Sequence, residues 1–387
     1  MASPLTDASA DDLPVYLDCA ATTPIDPRVL ETVYHYMAAD FGNASSHTHV
    51  YGNRASKAVQ NAREAIAALA DTRPDEVYFT SGATEANNLA ILGLADAARE
   101  AGKTHIVSTA IEHKAVLEPL ERLAGQGFTV THVQPTEGGW VRAEDVLAAV
   151  RDDTFLVSVM HVNNETGVIQ PLAAIAEGMG DHPAYLHSDA SQGFGKEIQE
   201  LTARIDFLSV SAHKLYGPKG VGALIARRRR FSRPPIRPLF AGGGQERGVR
   251  PGTLPVHLCV GFGRACEIMQ TEHQIWRARC ETVRNSLESV LASCRPSING
   301  DPVRRLPCIL NCSFADIDSE AVMLSLRDVV AISNGSACTT AGTDPSHVLT
   351  AMGCTRRRVA AATRWSWSHM TPSLPHTAIK SALELLR

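Results

Sequence analysis

The chain has 387 residues, 44% of them hydrophobic and 20% charged, with a net charge of -4. That length allows two domains around a well-buried core. The balanced charge gives no electrostatic case for direct nucleic-acid binding, and no apolar run is long enough to span a bilayer.

The opening MASPLTDASADDLP is acidic and polar, without the basic start and apolar stretch of a signal peptide, and reads as a disordered lead-in. From about residue 26 to 263, short β-branched strands alternate with helical patterns. This predicts an α/β fold with a mainly parallel sheet covered on both faces. The first strand, 77–80 (VYFT), leads into a helix over 84–98. Between them lies Thr80-Ser81-Gly82-Ala83-Thr84-Glu85, where free helix amides and the helix dipole favour an anion. A plain helix capped by Ser81 or Thr84 fits the same residues. A strand at 105–109 precedes a helix over 113–125, so His113 can project over the sheet edge. Strands at 129–133 and 155–160 follow, the second running into MHVNNETG, which offers an amide for polar contacts.

The strand at 185–188 ends in His187-Ser188-Asp189-Ala190-Ser191-Gln192. An aspartate at the end of a parallel strand is partly buried and needs a cationic partner, which a protonated pyridine nitrogen would provide. A helix cap or an ordinary ion pair also accounts for it. The strand at 207–210 ends in SAHKLYGPKG, where Lys214 stands behind Ser211 and His213 and before two glycines. This reads as an amine in a polar pocket beside an anion. The seventh strand, 221–226, leads to Arg227–Arg230, read as a solvated loop, with a docking patch for an acidic partner as the alternative. Residues 240–255 are glycine-rich and charged and read as a functional loop.

After residue 263 a helical pattern runs to 293, followed by strands at 308–314 and 330–333 with a helix between them, and a last helix near 376–386. Trp365 and Trp367 alternate as packing residues of a strand. Of nine scattered cysteines, Cys308 and Cys312 read as core residues; with no Cys-x-x-Cys pair, the set points to free thiols in a reducing cytoplasm. The expected division is an N-terminal arm at 1–25 that packs with the small domain, a large seven-stranded domain at 26–263, and a small α+β domain at 264–387.

One helix and one strand fit between Asp189 and Lys214, so both can emerge at the same sheet edge. A carboxylate for a ring nitrogen, an amine for an aldehyde and a helix N-terminus for a phosphate are together what pyridoxal 5′-phosphate requires. Cys338 lies in NGSACTTAG, with glycines on both sides, and reads as a thiol on a loop able to move.

The segments TSGATEANNLAI, IEHKAVLEPL, MHVNNETGVIQP, SDASQGFGK, SAHKLYGPKGVGAL, GGGQERGVRPGTLPVH and NGSACTTAGTDPSHVLTAMG resemble the NifS/IscS-type cysteine desulfurases. These are class V aminotransferase-like, fold-type I pyridoxal-phosphate enzymes, and the likeness runs from about Leu17 to Arg364. It implies Lys214 as the Schiff-base lysine, Asp189 as partner of the pyridinium nitrogen, and His113 over the ring and in proton transfer. Asn164 and Gln192 would stand near the substrate and the ring hydroxyl. Ala83, Thr84, Ser211 and His213 would hold the phosphate, and Thr253 would reach that of a neighbouring subunit, implying a homodimer. Arg364 would bind the substrate carboxylate, although WSWSHMTP departs from the family after it.

Cys338 would take sulfur from L-cysteine as a persulfide, release L-alanine and pass the sulfur to an acceptor protein. The pathway would be iron–sulfur assembly, tRNA thiolation or DNA phosphorothioation. The compact C-terminus lacks the tail of the iron–sulfur housekeeping members, and with AISNGSACT it resembles the phosphorothioation branch. Alternatives on the same fold are a selenocysteine lyase, an aminotransferase, or a non-catalytic sulfur-relay scaffold.

Overall fold

The computed structural model describes residues 13–334 and 345–386. Strand β1 (Val15–Tyr16) opens the chain, followed by helices α1 (Pro27–Ala38), capped by Asp26, and α2 (Val50–Leu69). A seven-stranded sheet comes next. Its strands are β2 (Val77–Thr80), β3 (His105–Thr109), β4 (Thr129–Val133), β5 (Thr154–Ser158), β6 (Tyr185–Asp189), β7 (Phe207–Ser211) and β8 (Gly222–Ala226). The order is β2-β8-β7-β6-β5-β3-β4, and only β8 runs against its neighbours. The mainly parallel seven-stranded sheet expected from sequence is therefore present.

Strand alternation feeds two cores. Tyr78, Ile106 and Leu224 face α3 (Ala83–Leu92), α4 (Ala95–Glu100) and α5 (Lys114–Ala124). Val77, Phe79, Val107, Ala223 and Ile225 face the opposite core. The helix expected over 84–98 is divided because the Gly93 carbonyl accepts from Arg237 N at 2.8 Å. Strand β5 ends at Ser158, two residues short of expectation, and Met160 N turns to the Glu112 carboxyl. Short helices α6 (Ala143–Ala148) and α7 (Leu172–Met179) complete this part.

The long helix α8 (Val256–Ala292) starts directly after Pro255, earlier than the pattern suggested. Gly261 and Gly263 weaken its helical signature, since glycine costs about 1 kcal/mol in a helix interior. They are there for packing: a Cβ at 263 would lie 2.5 Å from Ala62 Cα of α2. Beyond α8, β9 (Ser297–Ile298), β10 (Ile309–Ser313) and β12 (Ala362–Ser366) form an antiparallel sheet. α9 (Ser319–Leu326) leads to β11 (Val330–Ala331), which pairs with β1. α10 (His347–Ala351), α11 (Arg356–Ala360) and α12 (His376–Glu384) finish the chain. Trp365, Trp367, Cys308 and Cys312 are buried, as read. No described helix is long and apolar enough to cross a membrane.

The arginine run is corrected by the structure. Arg227 is buried and donates to the carbonyls of Thr202, Ile205 and Ala70. Arg228 pairs with Asp75, and Arg229 pairs with Asp206 while lying over the Tyr185 ring. Only Arg230 of the four is exposed. Carbonyls left bare where the chain leaves the sheet need donors, and guanidinium groups reach several at once.

Gly263→Ala decides between two magnitudes. The helix gains about 1 kcal/mol of propensity, while forcing a methyl into α2 backbone costs about 1–3 kcal/mol. The contact is with backbone, so packing wins: chemical denaturation is expected to show net destabilisation, and equal or greater stability would refute the tight α2–α8 contact.

Candidate active site

The sheet's strand ends converge on one cavity of about 410 Å³. At the end of β2, Gly82 caps α3 without any side-chain cap, leaving the first amides of the helix facing the cavity. The capped-helix alternative thus fails for Ser81 and Thr84. Glu85 instead accepts from Ser81 N at 2.7 Å and pairs with Arg250 at 2.7 Å.

At the end of β6, Asp189 is buried, and neutral groups hold it. Asn87 Nδ2 donates to Oδ2 at 2.7 Å, and Ser191 donates to Oδ1 from its backbone N at 3.0 Å and from its hydroxyl. The ion-pair alternative therefore has no cation among the described residues. At the end of β7, Ser211, His213 and Lys214 enter the same cavity. Lys214 Nζ donates to the carbonyls of Ala20 and Ala21, the second at 2.8 Å. Gln192 Nε2 donates to the Ala20 carbonyl at 2.8 Å. His213 Nδ1 and Thr22 Oγ1 are 3.1 Å apart. Residues 20–23 are thus a strap across the amine.

His113, at the N-cap of α5, uses Nδ1 to accept from Ala115 N at 3.1 Å. That assigns the proton of its neutral ring to Nε2, which makes Nε2 a donor. Asn163 holds the turn after β5, its Oδ1 accepting from Glu165 N and Thr166 N, while the adjacent Asn164 lines the cavity.

Three histidines, two behind the cavity and one lining it, are kept neutral. Burial drives His161 down to about 3, His187 to about 4 and His213 to about 4, the last aided by Lys214, Lys219 and Lys196. Neither ring nitrogen of His161 has a protein partner. The ring packs where a side chain at Gly193 would stand, with a Cβ there 2.2 Å from Nδ1.

Nine of the residues selected from sequence line this cavity: Ala83, Thr84, His113, Asn164, Asp189, Gln192, Ser211, His213 and Lys214. Two do not. Thr253 is exposed in the glycine-rich segment. Arg364 is fully buried on β12, donating to Asp18 Oδ1 at 2.8 Å and to the Asn164 carbonyl at 3.1 Å, so it adjoins the cavity through Asn164. Cys338 lies outside the described residues. The flanks of its segment are held near the site: Ser333 and Arg364 exchange backbone bonds, Ser346 Oγ donates to Glu165 Oε2 at 2.5 Å, and His347 Nε2 meets the Glu112 carbonyl at 2.9 Å. Sequence reading passed over Asn87, Lys219 and the strap. Asn87 was legible as a polar residue one helical turn beyond the α3 N-terminus; the strap, small and uncharged, gave no signal.

The residues present fit a flat ring with an anionic arm, a basic ring nitrogen and a carbonyl carbon. Such a group would find the α3 amides and Ser211 for its anion, Asp189 for its nitrogen and Lys214 for its carbonyl. Asn87 Oδ1 and Gln192 Oε1, both on residues lining the cavity, have no protein partner and so remain available to a bound group. The volume lies in the range of about 300–1,000 Å³ usual for small-molecule sites.

Fold and site together define a class of enzyme: the chain belongs to the aminotransferase class-V family, whose model matches residues 15–368. Within it, cysteine desulfurase IscS of Vibrio cholerae serotype O1 is 45% identical over 381 residues, covering 97% of this chain and 92% of that protein. DndA from Streptomyces lividans superposes with a TM-score of 0.81 at 48% identity, over 91% of this chain and 99% of that one. SspA in complex with cysteine gives a TM-score of 0.79 at 37% identity, over 93% and 99% of the two chains.

The neutral histidines set a pH dependence. A ring held below its unfolded pKa of about 6.5 takes up a proton only on unfolding, so stability is lost as pH falls from 6.5 towards the native value. Between pH 6.5 and 5, His161 alone accounts for about 2 kcal/mol by this linkage. The Tm is expected to fall from pH 7 to pH 5, and less steeply in His161→Leu. An equal fall in both proteins would show that His161 does not remain neutral.

Proposed function

We propose that this chain is a cysteine desulfurase that takes sulfur from L-cysteine, releases L-alanine and holds the sulfur as a persulfide on Cys338 before passing it to an acceptor protein. The observation that carries this reading is the convergence of Lys214, Asp189, His113 and the uncapped α3 N-terminus on one cavity. Similarity to cysteine desulfurases over 97% of the chain supports it, as does the cysteine complex of the related SspA.

The group that suits the cavity is pyridoxal 5′-phosphate. When bound, it supplies an electron-withdrawing ring that weakens bonds at the substrate carbons. The α3 amides at Ala83 and Thr84, with Ser211 and His213, hold its phosphate. Asp189 keeps its ring nitrogen protonated, and Lys214 is the amine that meets its aldehyde. His113 stands at the cavity for proton transfer, and Gln192 and Asn164 orient polar groups. Arg364 receives the substrate carboxylate, for which a fork of donors is the better match than an ammonium. The substrate Cβ–S bond breaks, an S–S bond forms at the Cys338 thiolate, and alanine's methyl group gains a proton. A thiolate is the nucleophile such a step requires.

The reading includes the arm at 1–25, the large domain at 26–263 and the small domain at 264–387 carrying Cys338, with α8 continuous across the boundary. It also includes a homodimer in which Thr253 reaches the neighbouring phosphate. Exposed Tyr34, Met37, Phe41 and Tyr51 support a partner on the α1–α2 side. Seven of the described cysteines, among them Cys19, Cys266 and Cys312, are free thiols, which supports a cytoplasmic setting. Similarity to DndA supports DNA phosphorothioation as the pathway.

The test is turnover of L-cysteine with reductant by the cofactor-loaded protein. Cys338→Ala is expected to abolish sulfide release. Lys214→Ala is expected to lower alanine formation by about 10²- to 10⁴-fold, the range for loss of an acid–base group. Sulfide at the parent rate from Cys338→Ala, or a keto-acid product, would overturn the assignment.

A further inference from the structure

Glu112 is fully buried in the turn between β3 and α5, one position before His113. Its Oε1 accepts from Thr109 Oγ1 at 2.8 Å and from Met160 N at 2.8 Å. The side chain therefore ties the end of β3 to the chain leaving β5, where Met160 lines the cavity. Its backbone carbonyl meets His347 Nε2, the first residue of α10, at 2.9 Å. The preceding carbonyl, of Ile111, accepts from Asn163 Nδ2 at 3.1 Å. The turn is thus gripped from β3, β5 and α10 immediately before the imidazole at the cavity.

Oε2 of Glu112 is buried without a protein partner. An ionised carboxylate in that position would keep only two donors, which is too few to offset desolvation. Burial first, and then the charge of Asp189 on β6, push its pKa up to about 8, against the bonds from Met160 and Thr109. The side chain is a neutral acid at pH 7, with His113 and His347 the titratable groups beside its backbone.

We propose that Glu112 is a positioning residue of the reaction: as a buried neutral acid it fastens β3 to β5 and thereby fixes where His113 stands at the cavity. This deepens the desulfurase reading and rests on it. Glutamine matches the neutral acid in shape and keeps the accepting oxygen, so Glu112→Gln preserves both bonds. Glu112→Ala removes them and leaves Met160 N–H and the Thr109 hydroxyl without their acceptor.

The experiment measures kcat and KM for L-cysteine in the cofactor-loaded protein, alongside the ¹⁵N signals of His113, assigned with His113→Gln. A displaced catalytic group is expected to lower kcat of Glu112→Ala by about 10- to 10²-fold with KM changed less than about 3-fold. Glu112→Gln is expected to keep kcat within about 3-fold of the parent, and the His113 signals to move in the alanine variant alone. Parent-like kcat and unmoved signals in Glu112→Ala would overturn the proposal, as would equal damage in both variants. If the parent makes no alanine, the desulfurase reading fails while the His113 signals still test the positioning.

Should Glu112→Ala not fold, thermal stability of the parent against Glu112→Gln takes its place. The native acid keeps a proton that the unfolded chain loses, so the parent's stability falls relative to the glutamine variant as pH rises from about 4.3 to about 8. A gap that does not change with pH would contradict the neutral acid.

Discussion

The parallel pairing of β6 with β7 is the constraint from which the site follows. His187, Ser188 and Asp189 lie in register with Phe207, Leu208 and Ser209, so the carboxylate at the end of one strand and the 211–214 turn at the end of the next emerge side by side. An acid and an amine separated along the chain are thereby held in one cavity with no ion pair between them. Asn87 and Ser191 hold the carboxylate, and the Ala20 and Ala21 carbonyls hold the amine. Strand ends on a parallel sheet are where ligands bind in this fold class, because helix N-termini and side chains face the same crevice.

Electrostatics sharpen that arrangement. The groups behind the cavity, His161, His187 and Glu112, are held neutral by burial. Neutral surroundings strengthen each remaining charge, since a low local dielectric screens little. They also carry a liability, because every such group resists the protonation state that water would give it.

The sheet was legible because β-branched strands alternate with helical patterns at regular spacing, and the seven strands fell close to their expected positions. The cavity residues were legible because small and charged types cluster at strand ends. What was not legible depended on distant partners. Gly261 and Gly263 look like helix breakers until α1 and α2 lie against them. Arg227 and Arg229 look like surface charges until bare carbonyls and Asp206 are brought to them. The strap at residues 20–23 is small and uncharged, and its carbonyls and threonine hydroxyls reach the site only once the chain has folded. Glu112 reads as one more acidic residue beside a histidine until its burial is known.

On this reading Lys214, and neither of the lysines near it, is the amine of the site. Borohydride reduction of the protein reconstituted with pyridoxal phosphate, followed by peptide mapping, tests this directly. A pyridoxyl group is expected on the peptide at Lys214 and none at Lys196 or Lys219. Label at either of those lysines, or no label at all, would contradict it.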